Sequence, residues 1–229
     1  MITTLFWDID DTLLDFSGAE AASIRQTFSV IGIPVTEENV RLYSDINSAL
    51  WKRLERGEIT RDEVLVGRFE TLLRTLGIRA DAMEAQNIYF SYLGEQYAYL
   101  PDARDVLDAL VGRYRMVAVS NGTVSIQQKR MAASGVDQYF EAIFLSQIIG
   151  AEKPGVAFFD ACFAALPDVR REEVLLIGDS LTSDMRGGEN AGLCTCWFNP
   201  HGKKNTLGVH IDHEITSLPQ LITLLKTIG

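Results

Sequence analysis

The chain has 229 residues, of which 47% are hydrophobic and 23% are charged, and its formal net charge is −10. These values are typical of a globular protein that is large enough to bury a substantial core. The acidic balance argues against a nucleic acid as partner, because a phosphodiester backbone requires clustered lysine and arginine. A small phosphorylated molecule stays compatible with it, since that needs a single local positive site.

The cysteines and the N-terminal sequence predict a cytoplasmic location. The three cysteines are an odd number, and the first residues have the pattern of a buried strand rather than of an export signal. We therefore expect the thiols to be reduced. No apolar run approaches the roughly 20 residues of a membrane span, so we expect no membrane partner.

Residues 15–100 have helical periodicity and contain no candidate strand. Two capping-box pairs, Ser17 with Glu20 and Thr60 with Glu63, predict helix starts. Four helices are predicted, over residues 17–31, 37–55, 61–76 and 80–99. The segment is therefore predicted to be an inserted α-helical domain.

The rest of the chain alternates between apolar strand patterns and helical patterns. Strands are predicted at residues 4–7, 116–120, 142–145, 174–177 and 194–198. Strands that alternate with helices specify a parallel sheet covered on both faces. We predict an α/β fold, a doubly wound parallel sheet built from residues 1–14 and 101–229.

Polar and charged residues follow four of these predicted strands. Ligands bind at the carboxyl ends of the strands in open parallel sheets, so we expect these residues to meet in one crevice. Clustered carboxylates repel one another by about 4 kcal/mol per pair at intermediate dielectric, and oxygen ligands favour a hard cation, Mg²⁺ first. A lysine and a serine hydroxyl suit a phosphate. The residues are Asp8, Asp10, Ser120, Asn121, Lys153, Asp179 and Asp184.

These segments match, in order and spacing, the four motifs of the haloacid dehalogenase-like (HAD) hydrolases. The first motif reads Asp-x-Asp-x-Thr at residues 8–12, and the fourth reads Gly-Asp-Ser-x-x-x-Asp at residues 178–184. The helical insert resembles the C1-type cap of that superfamily, which implies a Rossmann-like core. Residues 8–12, 51–57 and 196–199 also resemble the branch that dephosphorylates pyrimidine nucleoside monophosphates, noncanonical ones included. Asp11 departs from the pattern, because many members have glycine there.

The resemblance implies a phosphatase reaction that proceeds through an aspartyl-phosphate. Asp8 is then the nucleophile, and Asp10 is the general acid that later becomes the general base. The implied substrate is a small phosphomonoester.

The resemblance also implies how Mg²⁺ and the phosphate are held. The metal ligands are Asp8, the backbone carbonyl of Asp10 and Asp179, with Asp184 close by or acting through water. The phosphate is held by the Ser120 hydroxyl, the amide of Asn121 and Lys153.

Several alternatives stay open at this level. A sugar-phosphate phosphatase or a phosphomutase would use the same groups, whereas a dehalogenase needs neither Asp10 nor a metal. A receiver-like phosphoacceptor also uses a strand-end aspartate, Mg²⁺ and a lysine, but it needs no leaving-group acid and no insert. Trp51 and the aromatic residues between 89 and 99 fit either base stacking or core packing.

Overall fold

The computed structural model describes residues 1–228, which divide into two compact units. One, the sheet unit, comprises Met1–Asp15 and the chain from Ala98 onward; the other, the helical unit, comprises Phe16–Tyr97. The sequence-based boundaries were 14/15 and 100/101.

Within residues 1–228, the sheet unit contains a six-stranded sheet in the order β3-β2-β1-β4-β5-β6, with every neighbouring pair parallel. This order confirms the predicted doubly wound fold, because the chain runs outward from β1 first to one side and then to the other. The strands are β1 (Thr4–Trp7), β2 (Arg115–Ser120), β3 (Ala142–Leu145), β4 (Val174–Gly178), β5 (Cys194–Phe198) and β6 (His213–Ile215).

The helical unit consists of α1 (Phe16–Ile31), α2 (Glu37–Glu55), α3 (Arg61–Leu76) and α4 (Ala82–Leu93). Its core contains the rings of Tyr43, Phe69 and Tyr89, whose centroids are 5.4–5.9 Å apart. Arg68 lies 4.8 Å from the Tyr89 ring and donates to Asn47 and Gln86. Tyr89 is therefore a core residue.

Trp51 has a different environment within the helical unit. Its side chain is half-buried, and the guanidinium of Arg61 lies 5.3 Å from its ring centroid. A cation over an aromatic face is a favourable pairing, so this ring already has a partner inside its own unit.

Helices flank the sheet and bury its strands. They are α5 (Ala103–Leu110), α6 (Val124–Ser134), α7 (Ser146–Ile149), α8 (Val156–Ala165), α9 (Arg186–Ala191) and α10 (Pro219–Ile228). All four residues of β1 and all five of β4 are buried, as expected for central strands covered on both faces. In residues 1–228, no helix combines the length and the apolar character that crossing a membrane requires.

Among the differences from the sequence-based prediction, three have a local explanation. The strand β6 was not predicted, because three residues with two polar side chains give little periodicity. Helix α4 ends at Leu93 rather than near Tyr99, with Gly94 as its C-cap. The pair Thr60–Glu63 forms the predicted capping box, but α1 begins at Phe16, so Ser17 lies inside its first turn.

Candidate active site

Asp8 directly follows β1 and is held from both sides. One carboxylate oxygen accepts a hydrogen bond from the Lys153 ammonium at 2.8 Å, and the other accepts from the Thr12 hydroxyl at 3.1 Å. The same ammonium donates to Asp184 at 2.6 Å and to the backbone carbonyl of Val119 at 2.8 Å. Lys153 is 1% exposed, so a buried positive charge joins two carboxylates that are far apart in sequence.

Asp8, Asp179 and Asp184 can each place a ligand oxygen within 4.8 Å of the other two. The oxygen-only donor set fits a hard divalent cation such as Mg²⁺. Gly178, the last residue of β4, allows this packing: an added Cβ would lie 2.4 Å from the Asp184 carboxyl carbon. The Trp197 indole on β5 donates to the Asp179 carbonyl at 2.9 Å and fixes the chain at that residue.

The charge of each of these groups affects the pKa of its neighbours. Burial, reinforced by Asp184 and Asp10 and opposed by Lys153, raises the pKa of Asp8 to about 7. Burial and the nearby Asp8 and Asp184 charges also raise the pKa of Asp179 well above its usual range. A cation bound between these carboxyls would supply the missing counter-charge, which supports the fit.

The lysine itself stays charged. Burial alone would lower the pKa of Lys153, but the adjacent Asp184 and Asp8 charges outweigh it and raise this pKa above the usual value. The site therefore holds a permanent positive charge beside the proposed nucleophile.

Ser120 and Asn121 follow β2 at the same edge of the sheet. The Ser120 hydroxyl oxygen accepts from the Gly122 amide at 3.0 Å and from the Gln127 side chain at 2.7 Å. Its O–H is then the group suited to a phosphate oxygen. The Asn121 side chain instead exchanges two hydrogen bonds with the Lys153 backbone, of 2.8 and 2.9 Å, and so fixes the loop that carries the lysine.

Asp10 is turned toward a different set of partners from Asp8. Its Oδ1 is ion-paired with the Arg130 guanidinium, and its Oδ2 accepts from the Gln127 amide at 2.7 Å. Sequence reasoning missed Gln127 and Arg130. The available signal was their spacing of three on the helix that follows β2, which places both on one helix face.

Asp11 shows why its position favours glycine. Its φ is +56°, a left-handed conformation that aspartate tolerates better than most residues but that glycine adopts without steric cost. The Asp11 amide donates to the Leu14 carbonyl at 2.8 Å. This tight turn returns the chain after the two aspartates.

The fold and these residues together define a Rossmann-like α/β enzyme with an acidic site at the carboxyl edge of its sheet. Residues 2–192 match the family described as haloacid dehalogenase-like hydrolase. The chain belongs to this family, as its motifs predicted.

The chain is also similar over nearly its whole length to three bacterial proteins. It is 39% identical to YfnB of Bacillus subtilis, covering 97% of this chain and 95% of that one. A YfnB structure described as bound to magnesium superposes with a TM-score of 0.94 at 38% identity, covering 98% of this chain and 99% of that one.

Two of these relatives are named pyrimidine 5′-nucleotidases. PynA of Streptococcus pneumoniae is 36% identical, covering 96% of this chain and 94% of the relative. YjjG of Escherichia coli is 30% identical, covering 96% of each.

Proposed function

We propose that this chain is a Mg²⁺-dependent phosphatase whose substrates are pyrimidine nucleoside 5′-monophosphates. The observation that carries the reaction class is the buried Lys153 joined to Asp8 and Asp184 at 2.8 and 2.6 Å. A buried ammonium paired with two carboxylates supports a site that handles a negatively charged phosphate beside Asp8. The substrate class rests on the likeness to PynA and YjjG.

In the proposed reaction, an Asp8 oxygen attacks phosphorus while the bond from phosphorus to the leaving oxygen breaks. Asp10 gives its proton to that oxygen, so the nucleoside leaves as a neutral alcohol. Asp10 then takes a proton from a water molecule that attacks the aspartyl-phosphate, which releases phosphate and regenerates both carboxyl groups.

In this proposal, the remaining groups bind the phosphate and offset its negative charge. Asp8, Asp179, Asp184 and the Asp10 backbone carbonyl would hold Mg²⁺, which supplies electrostatic stabilisation to the phosphoryl oxygens. Lys153 adds a fixed positive charge, and the Ser120 hydroxyl and the amide of Asn121 would donate hydrogen bonds. Such preorganised donors stabilise charge that develops in the transition state.

The test is phosphate release from a panel that contains UMP, dUMP, dTMP, purine nucleotides and sugar phosphates, with Mg²⁺ and with excess chelator. We expect pyrimidine nucleotides to have the highest kcat/KM and chelation to abolish turnover reversibly. Asp8→Asn should lose at least a thousandfold in kcat while keeping the wild-type circular dichroism spectrum. Full turnover in chelator would contradict the metal site.

The alternatives give different results in the same panel. Sugar phosphates that outperform every nucleotide would show a broader phosphatase, and phosphoryl return to the sugar would show a mutase. A receiver-like protein would accept phosphate on Asp8 once without repeated release.

A further inference from the structure

Helix α6 carries two buried polar residues that the proposed reaction has not yet used. Gln127 is 1% exposed and Arg130 is fully buried, whereas Gln128 and Lys129 between them are exposed. Burial of a charged side chain carries a large desolvation cost unless it is paired. The groups that pair with Gln127 and Arg130 therefore indicate the role of these two residues.

Both residues contact the carboxylate of Asp10. Arg130 pairs with Oδ1, and Gln127 donates to Oδ2 at 2.7 Å, so each oxygen has its own donor from one helix. The Gln127 amide oxygen also accepts from Arg130 at 3.3 Å, which links the two donors. Two donors on two oxygens fix the rotation of the carboxylate about its χ2 bond.

The Gln127 side chain packs closely against Gly122, where a larger residue would clash with it. A Cβ added there would lie 2.4 Å from Cγ and 2.6 Å from Cδ and Nε2 of Gln127. Gly122 does not have a positive φ, so its backbone conformation does not require glycine. The close approach of the Gln127 side chain is therefore the better reason for a glycine at this position. Gln127 lies across it and reaches Ser120 and Asp10 together, at 2.7 Å each.

The partners also leave Asp10 able to transfer a proton. The Asp10 side chain is 24% exposed, so part of it stays accessible with both donors in place. A carboxyl oxygen that gains a proton keeps acceptor capacity, so Gln127 can stay bonded to Oδ2 in either protonation state.

We propose that Gln127 and Arg130 are positioning residues that set the orientation of the Asp10 carboxyl for proton transfer to the leaving oxygen. The proposal rests on the proposed function, because it takes Asp10 as the general acid. In that step the proton moves from Asp10 to the leaving oxygen while the bond from phosphorus to that oxygen breaks, and Gln127 and Arg130 exchange no proton.

This role predicts a dependence on the leaving group that a purely structural role does not. A nucleoside alkoxide is a poor leaving group and needs protonation, whereas p-nitrophenolate leaves well without it. The ratio kcat/KM reports steps up to transfer of phosphate to Asp8, so later hydrolysis does not obscure the comparison. General acid catalysis contributes about 10²–10⁴-fold in rate, which sets the range that mispositioning can cost.

The experiment compares kcat/KM for UMP and for p-nitrophenyl phosphate in Gln127→Leu and Arg130→Lys. We expect each variant to lose at least tenfold more in kcat/KM with UMP than with p-nitrophenyl phosphate. Gly122→Ala should give the same pattern through Gln127, which tests the contact without altering either donor. The matched controls Gln128→Leu and Lys129→Met should keep wild-type values with both substrates.

The outcomes separate this inference from the function on which it rests. Equal losses with both substrates in Gln127→Leu and Arg130→Lys would overturn the positioning role, even with a fully active wild type. Asp10→Asn should show the same leaving-group pattern, with a larger loss. An Asp10→Asn variant without that pattern, or a wild type that releases no phosphate, would instead overturn the proposed function.

Discussion

Replacing Lys153 by methionine tests the charge balance of the site directly. The substitution keeps an unbranched side chain but removes the ammonium that donates at 2.8 Å to Asp8 and at 2.6 Å to Asp184. Asp8 and Asp184 are buried, with 7% and 1% of each residue exposed, so little water can solvate their carboxylates once the ammonium is gone. Removing one partner of a buried ion pair typically costs about 3–5 kcal/mol.

The assay is equilibrium urea unfolding of the metal-free protein. In thermal unfolding, each kcal/mol of lost stability lowers Tm by about 2–4 °C in a chain of this size. We therefore also expect Tm to fall by about 10 °C. Saturating Mg²⁺ should restore part of the loss, because the ion supplies positive charge to the same carboxylates. The double variant Lys153→Met with Asp8→Asn should also recover stability, since it removes one of the two repelling charges.

The control is Lys129→Met, because Lys129 is exposed on α6. A surface substitution of this kind should change the free energy of unfolding by less than about 0.5 kcal/mol. A loss in Lys153→Met no larger than that of the control would refute the reasoning, since it would mean that the buried carboxylates need no counter-charge.

Two further predictions concern packing and thiol chemistry. Gly178→Ala should lower the free energy of unfolding by about 1–3 kcal/mol and weaken Mg²⁺ binding in calorimetry, because the new Cβ would overlap the Asp184 carboxyl. The control Gly67→Ala adds a Cβ into open space in a helix, so it should be neutral or stabilising. An equal result for both variants would contradict the steric argument. Burial raises the pKa of Cys162 and of Cys196 to about 12, so a thiol reagent at pH 8 should label both thiols quickly only after denaturant is added. Rapid labelling of either thiol in the native protein would contradict their burial.

The sequence predicted the sheet well because five of the strands that the structure describes are short, mainly apolar runs. The predicted strands of 4–7, 142–145 and 194–198 have the observed bounds. Strand β6 was missed because two of its three residues, His213 and Glu214, are polar, so the strand pattern is weak. Helix α4 was predicted too long because the aromatic residues Tyr97 and Tyr99 continue its composition, although Gly94 already ends it.

The proposed site residues were found through their position after strands, and this signal has a limit. It selects residues at strand ends, such as Asp8 and Asp179, but not residues inside a helix. Gln127 and Arg130 appear in sequence as ordinary polar positions of α6. Only the tertiary structure shows that their face of the helix contacts Asp10.

The formal charges of the proposed site predict an order of binding. Four carboxyls, those of Asp8, Asp10, Asp179 and Asp184, are accompanied by the cations of Lys153 and Arg130. Asp11 and Lys203 act on the pKa of Asp179 in opposite directions and so change this balance little. The proposed reaction requires Asp10 to be protonated when the substrate binds, so the other three carboxylates and the two cations leave a formal charge of −1, which repels a phosphate dianion. A divalent cation would change that charge to +1, so we expect Mg²⁺ to bind before the substrate.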